Sequence, residues 1–238
     1  MVPRGGVGTP TVLTTNGSVW HSKRKAIATA FSSKHVKRMN KLAVEMTDCW
    51  IHERLQTTSN NNNNRESEPF DVAEEIVNIV LSAVCETGFE YKISSEEKEQ
   101  LGLDLQSALT EFVTRESLNK WRAYTGLLLP ERRRAIRASQ RFNALMLKIM
   151  AQYRMLDKPT PGTIINAVME SDAFPIPTDD EKAAQLAEFL VGGHDTTAYS
   201  ISWILLELAK NPLEQKVLRE ELVNLSPEEW NTSENLKW

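Results

Sequence analysis

The stretch that decides the fold is Gly192-Gly193-His194-Asp195-Thr196-Thr197, in the middle of a long helical segment. That segment opens at Thr178 and Glu181, which have the spacing of a capping box, and it contains no proline before Pro212. The pattern predicts one α-helix over 178–210, about 30 residues and roughly 45–50 Å long at 1.5 Å per residue. Since most sides of this helix are apolar, we expect it to run through the middle of a domain.

The centre of this helix combines features that are costly in a helix. Each of the adjacent glycines, Gly192 and Gly193, costs about 1 kcal/mol relative to alanine, so the backbone here is expected to lie close to something flat or bulky. Thr196 and Thr197 can donate their hydroxyls to the glycine carbonyls one turn back, which bends a helix. A helix packed tightly against a neighbour, with both threonines bonded to their own backbone, is the alternative interpretation.

The whole string resembles the acid–alcohol motif of the haem-thiolate monooxygenases, the cytochrome P-450 family. That motif reads Ala or Gly, Gly, any residue, Asp or Glu, Thr, and Thr or Ser, and all five specified positions match. The resemblance implies that this turn lies over the haem face where oxygen binds, that Thr196 positions a water there and that Asp195 relays protons from solvent. An apolar pocket has no other source of protons. His194 falls at the unspecified position and is expected to point elsewhere. The resemblance places the remaining motif residues at the cofactor: Gly192, Gly193 and Thr197.

A second motif lies near the N-terminus, at Trp20 and Arg24. The two residues are four apart and share a helix face, and both side chains are hydrogen-bond donors only, so together they can hold a carboxylate. A cation–π pair on a surface helix is the alternative interpretation. The same family carries a Trp-x-x-x-Arg helix before its acid–alcohol helix, with an ending similar to Phe31-Ser32. The resemblance implies that Trp20 and Arg24 bind a haem propionate. Both side chains are therefore expected to point toward the same concavity that Gly192, Gly193 and Thr196 line.

The rest of the chain is predicted to be helical too, with an irregular segment over 1–17 and an Asn-rich loop over 57–68. Apolar periodicity, caps and breakers predict further helices over 18–31, 33–56, 71–87, 94–115, 130–156, 164–170 and 211–225. The predicted fold class is all-α, as a single partial domain over 1–238. By resemblance it corresponds to the central helical part of the cytochrome P-450 fold, with the family's small β-sheets and proximal cysteine loop missing.

The iron ligand of the family is not expected in this chain. The family ligates iron through a cysteine in a loop of the form Phe-x-x-Gly-x-Arg-x-Cys-x-Gly, which follows the acid–alcohol helix, and no cysteine follows Thr197. Cys49 and Cys85 lack the neighbouring residues of that loop and are interpreted as core or boundary thiols. No Cys/His spacing predicts a metal site. Haem is therefore the expected cofactor of the complete protein, and the chain alone is expected to be inactive for lack of the thiolate ligand.

The resemblance implies a parent monooxygenase that activates O2 on haem and hydroxylates an apolar organic small molecule. Its electrons would come from an NADPH-dependent reductase or another donor, and its expected location is the cytosolic face of the endoplasmic reticulum membrane. The alternative is a stand-alone helical binding or regulatory domain that retains the helices without catalysis. A net charge of −4 gives no reason to expect nucleic acid as a partner, and no apolar run is long enough to span a bilayer.

Overall fold

The computed structural model describes residues 10–60, 70–124, 128–171 and 178–224, and within these ranges it contains helices and no strand. The all-α prediction is therefore confirmed for the described part of the chain. The α-helices there are α1 Gly17–Ala28, α2 Ser33–Asn60, α3 Val72–Phe89, α4 Ser95–Ala108, α5 Glu116–Leu118, α6 Pro130–Arg154, α7 Ile164–Glu170, α8 Asp179–Lys210 and α9 Pro212–Val223. A π-helical segment, Leu109–Arg115, and two 3-10 turns, Thr29–Phe31 and Lys120–Tyr124, complete the described elements.

The long helix α8 is continuous over 32 residues, which confirms the predicted helix to within one residue at its start. The backbone N–H of Glu181 donates to the Thr178 side-chain oxygen at 3.2 Å, as the capping-box spacing predicts. At the other end, the Asn211 side-chain amide donates to the Glu207 carbonyl at 2.8 Å, and Pro212 begins α9. None of the helices in the described ranges is both long enough and apolar enough to cross a bilayer.

The largest differences from the sequence prediction are at the ends of two helices. Helix α2 extends to Asn60, into the range 57–68 that was predicted as a loop, and residues 61–69 lie outside the described residues. Extending an existing helix costs only about 0.5 kcal/mol per Thr, Ser or Asn relative to Ala, so weak helix formers do not end it by themselves. The predicted helix 94–115 is α-helical only to Ala108 and continues as the π-helical segment Leu109–Arg115, where the Glu116 N–H donates to the Glu111 carbonyl five residues back.

The described residues group into two compact units. The first comprises residues 1–30 and 89–191, where α4 packs on α6, and α7 packs on both α6 and α1. Its core consists of apolar side chains that are at most 6% exposed, among them Leu101, Leu105, Ala138, Met146, Ile149, Met150, Ile165, Val168, Leu186 and Leu190. The single partial domain over 1–238 stays a prediction.

The second unit comprises residues 31–88 and 192–238, and its core lies between α3 and the second half of α8. The apolar spacing of α3 predicts the face that is buried there, and the Trp50 indole N–H of α2 donates to the Glu75 carboxylate of α3 at 2.9 Å. The buried residues of this core are Ile76, Val80 and Ala198, with Val77, Ile79, Val84 and Ile201 packed against them.

Helix α8 is buried on most inward positions of its first half and on one face of its second half. Ala183, Ala184, Leu186 and Leu190 are between 0% and 8% exposed, as expected for a helix in the middle of a domain. In the second half, Ala198 is 0% exposed on the face toward α3, whereas Tyr199 is 57% exposed and Trp203 is 62% exposed. The reason is that these large apolar side chains have no described residues packed over them.

A buried charge cluster holds the segment between α4 and α6. Glu111 in the π-helical segment is 1% exposed, and Arg122 donates to both of its carboxylate oxygens, through Nε at 3.0 Å and Nη2 at 2.7 Å. The Arg132 guanidinium of α6 lies 3.4 Å from Glu111 and 2.8 Å from Glu116. We call these four residues the Glu111 cluster. It ties the π-helical segment, the following turns and α6 together within the first unit.

Replacing Ser94 by alanine should destabilise the first unit by about 1 kcal/mol. The Ser94 hydroxyl accepts from the Glu97 N–H at 3.2 Å, and the Glu97 carboxylate accepts from the Ser94 N–H at 3.0 Å, so the substitution opens a complete capping box at the start of α4. Urea unfolding followed by circular dichroism measures the loss. Ser95→Ala, in the first turn of the same helix, is the matched control, and an equal loss in both variants would contradict the prediction.

Candidate functional site

The acid–alcohol turn of α8 contains the predicted side-chain bond to the backbone. The Thr196 hydroxyl donates to the Gly192 carbonyl at 2.8 Å, and the Ser200 hydroxyl in turn donates to the Thr196 carbonyl at 2.7 Å. Thr196 and Thr197 are both exposed. Because the Thr196 hydrogen is used on the backbone, its oxygen is left with lone pairs that can accept a hydrogen bond from a molecule on the exposed side of the helix.

The two glycines of the motif have different surroundings, although the sequence predicts one role for both. A Cβ added to Gly193 would lie 3.4 Å from a methyl group of Val84, an ordinary van der Waals contact, so this glycine faces α3. A Cβ added to Gly192 would meet nothing within 4 Å. Gly193 is therefore covered by α3, whereas Gly192 leaves bare backbone facing open space, where a flat ligand could approach.

Asp195 and His194 form a pair at the same turn. The Nε2 atom of His194 lies 3.0 Å from the Oδ1 atom of Asp195, and the histidine side chain is 3% exposed while the aspartate side chain is 33% exposed. The His194 side chain is thus buried. Its contact with Asp195 is not predicted, because neighbouring residues on a helix do not face each other by spacing alone. The Asp195 carboxylate therefore contacts His194 through one oxygen and remains accessible to solvent.

On α1, Trp20 and Arg24 interact with each other. The guanidinium carbon of Arg24 lies 5.3 Å from the centroid of the Trp20 ring, a cation–π distance, and the His21 ring meets Trp20 edge-on at 4.8 Å between centroids. Arg24 is exposed and Trp20 is half-buried. This contact is the cation–π pair of the alternative interpretation, and the exposed donors of Arg24 can still bind a carboxylate.

The predicted site residues are therefore divided between two groups. Trp20 and Arg24 belong to the first unit, and the motif from Gly192 onward belongs to the second. That both groups of residues line one concavity stays a prediction.

The residues present fit part of a haem site. Arg24 and Trp20 are the donor set that carboxylates require, and the open backbone at Gly192 beside the exposed Thr196 hydroxyl suits the approach of a flat group. The cysteines do not fit the role of iron ligand, because Cys85 is 0% exposed within α3 and Cys49 lies on the surface of α2. No cluster of three or more metal-binding side chains exists within the described ranges.

One polar pair near the site is not predicted from the sequence. Gln185 and Glu188, in the buried half of α8, accept hydrogen bonds from the segment that precedes α1. The sequence does contain a signal for this contact. Gln185 and Glu188 are three residues apart and interrupt the apolar positions Ala183, Ala184, Leu186 and Leu190. A buried polar side chain needs a hydrogen-bond partner, so the interruption could have indicated one.

Comparison with known proteins identifies relatives over most of the chain. The family model described as Cytochrome P450 matches residues 6–236. Cytochrome P450 4d8 of Drosophila melanogaster is 25% identical over 245 residues, which covers 90% of this chain and 50% of that protein. Cytochrome P450 monooxygenase FSL4 of Gibberella zeae is 37% identical over 70 residues, covering 29% of this chain and 12% of that protein. The chain thus spans about half the length of the Drosophila relative.

Solved structures show the same fold. The heme domain of cytochrome P450DA superposes with a TM-score of 0.63 at 18% identity, covering 81% of this chain and 40% of that domain. A second cytochrome P450 structure superposes with a TM-score of 0.59 over 85% of this chain and 46% of its own. At this level of identity the likeness establishes the fold, and it confirms that the helices described above are a part of the cytochrome P450 fold.

Proposed function

The chain belongs to the cytochrome P450 family, and from this premise we propose that the protein containing it is a haem-dependent monooxygenase that hydroxylates an apolar organic small molecule. Its electrons come from an NADPH-dependent reductase or another donor. The location that goes with this proposal is the cytosolic face of the endoplasmic reticulum membrane, as the family resemblance implies. The family match over residues 6–236 supports the class of reaction, and the residues of α1 and α8 support the roles proposed next.

The residues of this chain have separate tasks in that proposal. Trp20 and Arg24 hold the carboxylates of haem, which when bound supplies the activation of oxygen. Thr196, whose hydrogen is bound to the Gly192 carbonyl, accepts a hydrogen bond from a water and so fixes its position. Asp195, held on one oxygen by His194 and open to solvent on its other side, passes protons toward that water.

A single observation carries the proposal. On α8 the open backbone of Gly192 and the exposed hydroxyl of Thr196 stand one turn apart on one face, and the half-buried carboxylate of Asp195 adjoins them. Within the described structure Gly193 faces Val84 of α3, whereas nothing lies within 4 Å of a Cβ built on Gly192. A proton relay beside a flat cofactor requires an acid, an alcohol and uncovered backbone, and all three occur together on this turn.

Haem retention by the chain tests the proposal. We expect Arg24→Ala to weaken haem binding about tenfold, because it removes a charged donor to a carboxylate. Quenching of tryptophan fluorescence during haem titration measures the affinity, with the chain kept in solution as a fusion to a soluble carrier. Lys25→Ala, which removes the neighbouring exposed cation on α1, is the matched control and should leave the affinity unchanged.

Equal affinity in the Arg24→Ala and Lys25→Ala variants would overturn the cofactor role of α1. It would favour the alternative of a helical binding or regulatory domain without a haem site.

A further inference from the structure

The segment before α1 is anchored to the buried half of α8. Two backbone N–H groups point at α8: that of Val12 donates to the Gln185 side-chain oxygen at 2.9 Å, and that of Leu13 donates to a Glu188 carboxylate oxygen at 2.9 Å. The Thr11 hydroxyl donates to the same Glu188 oxygen at 3.0 Å. We call residues 11–14 the entry turn, and Gln185 with Glu188 the α8 clamp. All of these residues belong to the first unit.

The entry turn is also closed on itself and tied to α1. The Thr11 N–H donates to the Thr14 hydroxyl at 2.8 Å, and the Thr15 N–H donates to the Thr11 carbonyl at 3.1 Å. From α1, the ammonium group of Lys23 donates to the Pro10 carbonyl, and this lysine is only 6% exposed. The turn therefore has fixed partners on two helices, and only residues 15 and 16 separate it from the first residue of α1.

Gln185 is buried among apolar residues, and Glu188, one turn later, is half-buried. They lie in the half of α8 whose other inward positions are alanine and leucine, and Gln185 is 1% exposed. A buried amide or carboxylate stabilises a fold only when its hydrogen bonds are made, and here the partners are the entry turn and the clamp's own contact between Gln185 and Glu188. A hydrogen bond to a carboxylate is also stronger than one between neutral groups. The clamp is thus built to hold this turn.

We propose that Gln185 and Glu188 are positioning residues for the cofactor end of α1. By fixing the entry turn they fix where α1 starts and how it is rotated, and so they set the direction in which Trp20 and Arg24 present their donors. This inference rests on the proposed function, in which those two side chains hold the carboxylates of haem. It adds residues that touch neither cofactor nor substrate and act through α1 alone.

The test compares two readouts in the chain fused to a soluble carrier. In Gln185→Ala/Glu188→Ala, we expect amide hydrogen exchange of residues 11–15 to be at least about tenfold faster, because local opening no longer breaks these bonds. We expect haem affinity to fall about fivefold in the same variant. Glu188→Gln keeps an acceptor oxygen and should recover most of both losses, and Asp180→Ala, an exposed acid on the same helix, should change neither.

A second variant approaches the clamp from the other side. Thr11→Val removes the hydroxyl but leaves α8 intact, so it should accelerate exchange of the entry turn even if the double alanine variant unfolds. Adding Arg24→Ala to the clamp variant should weaken haem binding by less than the product of the two separate effects, since the clamp acts partly through Arg24.

The possible failures are distinguishable. Faster exchange with unchanged haem affinity, while Arg24→Ala still weakens binding, would overturn the positioning role and leave the proposed function standing. Unchanged exchange in both the clamp variant and Thr11→Val would also overturn it. If Arg24→Ala binds haem as well as the Lys25→Ala control does, the proposed function fails instead, whatever the exchange of the entry turn shows.

Discussion

Haem added to the 238-residue chain, then reduced and exposed to carbon monoxide, should give no thiolate absorption band. That band lies at an unusually long wavelength and requires a cysteine thiolate on the iron, where it pushes electron density toward bound oxygen. Cys85 is 0% exposed within α3, so haem could reach it only if that helix opened. Cys49 is exposed on α2 but lacks the Phe, Gly and Arg residues of the family's cysteine loop. We expect the spectrum of histidine-ligated or loosely adsorbed haem.

The comparison for this experiment is a cytochrome P450 with its cysteine loop, measured under the same conditions, which must show the band. Cys49→Ser and Cys85→Ser variants of the chain identify the ligand if a band does form. A thiolate band that disappears in one of these variants would show that the corresponding cysteine ligates iron, and the prediction would be wrong.

Replacing Glu111 by alanine should destabilise the first unit by about 3 kcal/mol. Glu111 is 1% exposed and accepts two hydrogen bonds from Arg122, and Arg132 also lies against it, so its loss leaves two guanidinium groups without their central partner. Urea unfolding followed by circular dichroism measures the change. Glu131→Ala is the control, because Glu131 is an exposed carboxylate beside the same segment. A loss under about 1 kcal/mol, as for a surface pair, would contradict the prediction.

The same cluster gives the first unit a defined response to acid. The Arg122 guanidinium holds the pKa of Glu111 below its ordinary value of 4.5, chiefly through their hydrogen bonds and against the opposing effect of burial. A carboxyl group with a lowered pKa contributes stability that is fully present above the unfolded value and is lost as pH falls through the folded value. The stability of the wild-type unit should therefore fall more steeply below about pH 4.5 than that of Glu111→Gln, measured in parallel.

Most helices could be predicted because their signals are local. Helix α7 matches its predicted bounds, and the Thr163 hydroxyl at its start accepts from the Asn166 N–H at 3.2 Å, three residues ahead. The extent of α8 follows in the same way from a cap and a proline. The bond from Thr196 to Gly192 is equally local, since the two groups are one helical turn apart.

Features that depend on distant partners could not be predicted. The π-helical segment has the same residue types as an α-helix, and Arg122 and Arg132, which hold its Glu111, come from later elements. The different surroundings of Gly192 and Gly193 depend on Val84 in another helix. The clamp residues are visible as polar positions, but only the folded chain shows that the entry turn is their partner.

The π-helical turn makes the segment Leu109–Arg115 sensitive to residue number more than to residue type. A π turn accommodates one more residue than an α turn does, and each residue of an α-helix rotates the chain by about 100°. A single deletion there could restore a regular α-helix only if the residues after it rotated by about 100° relative to the residues before it. That rotation would move the Glu111 carboxylate away from Arg122. In the divergence of this lineage, insertions and deletions in the segment should therefore be rejected more strongly than substitutions outside Glu111.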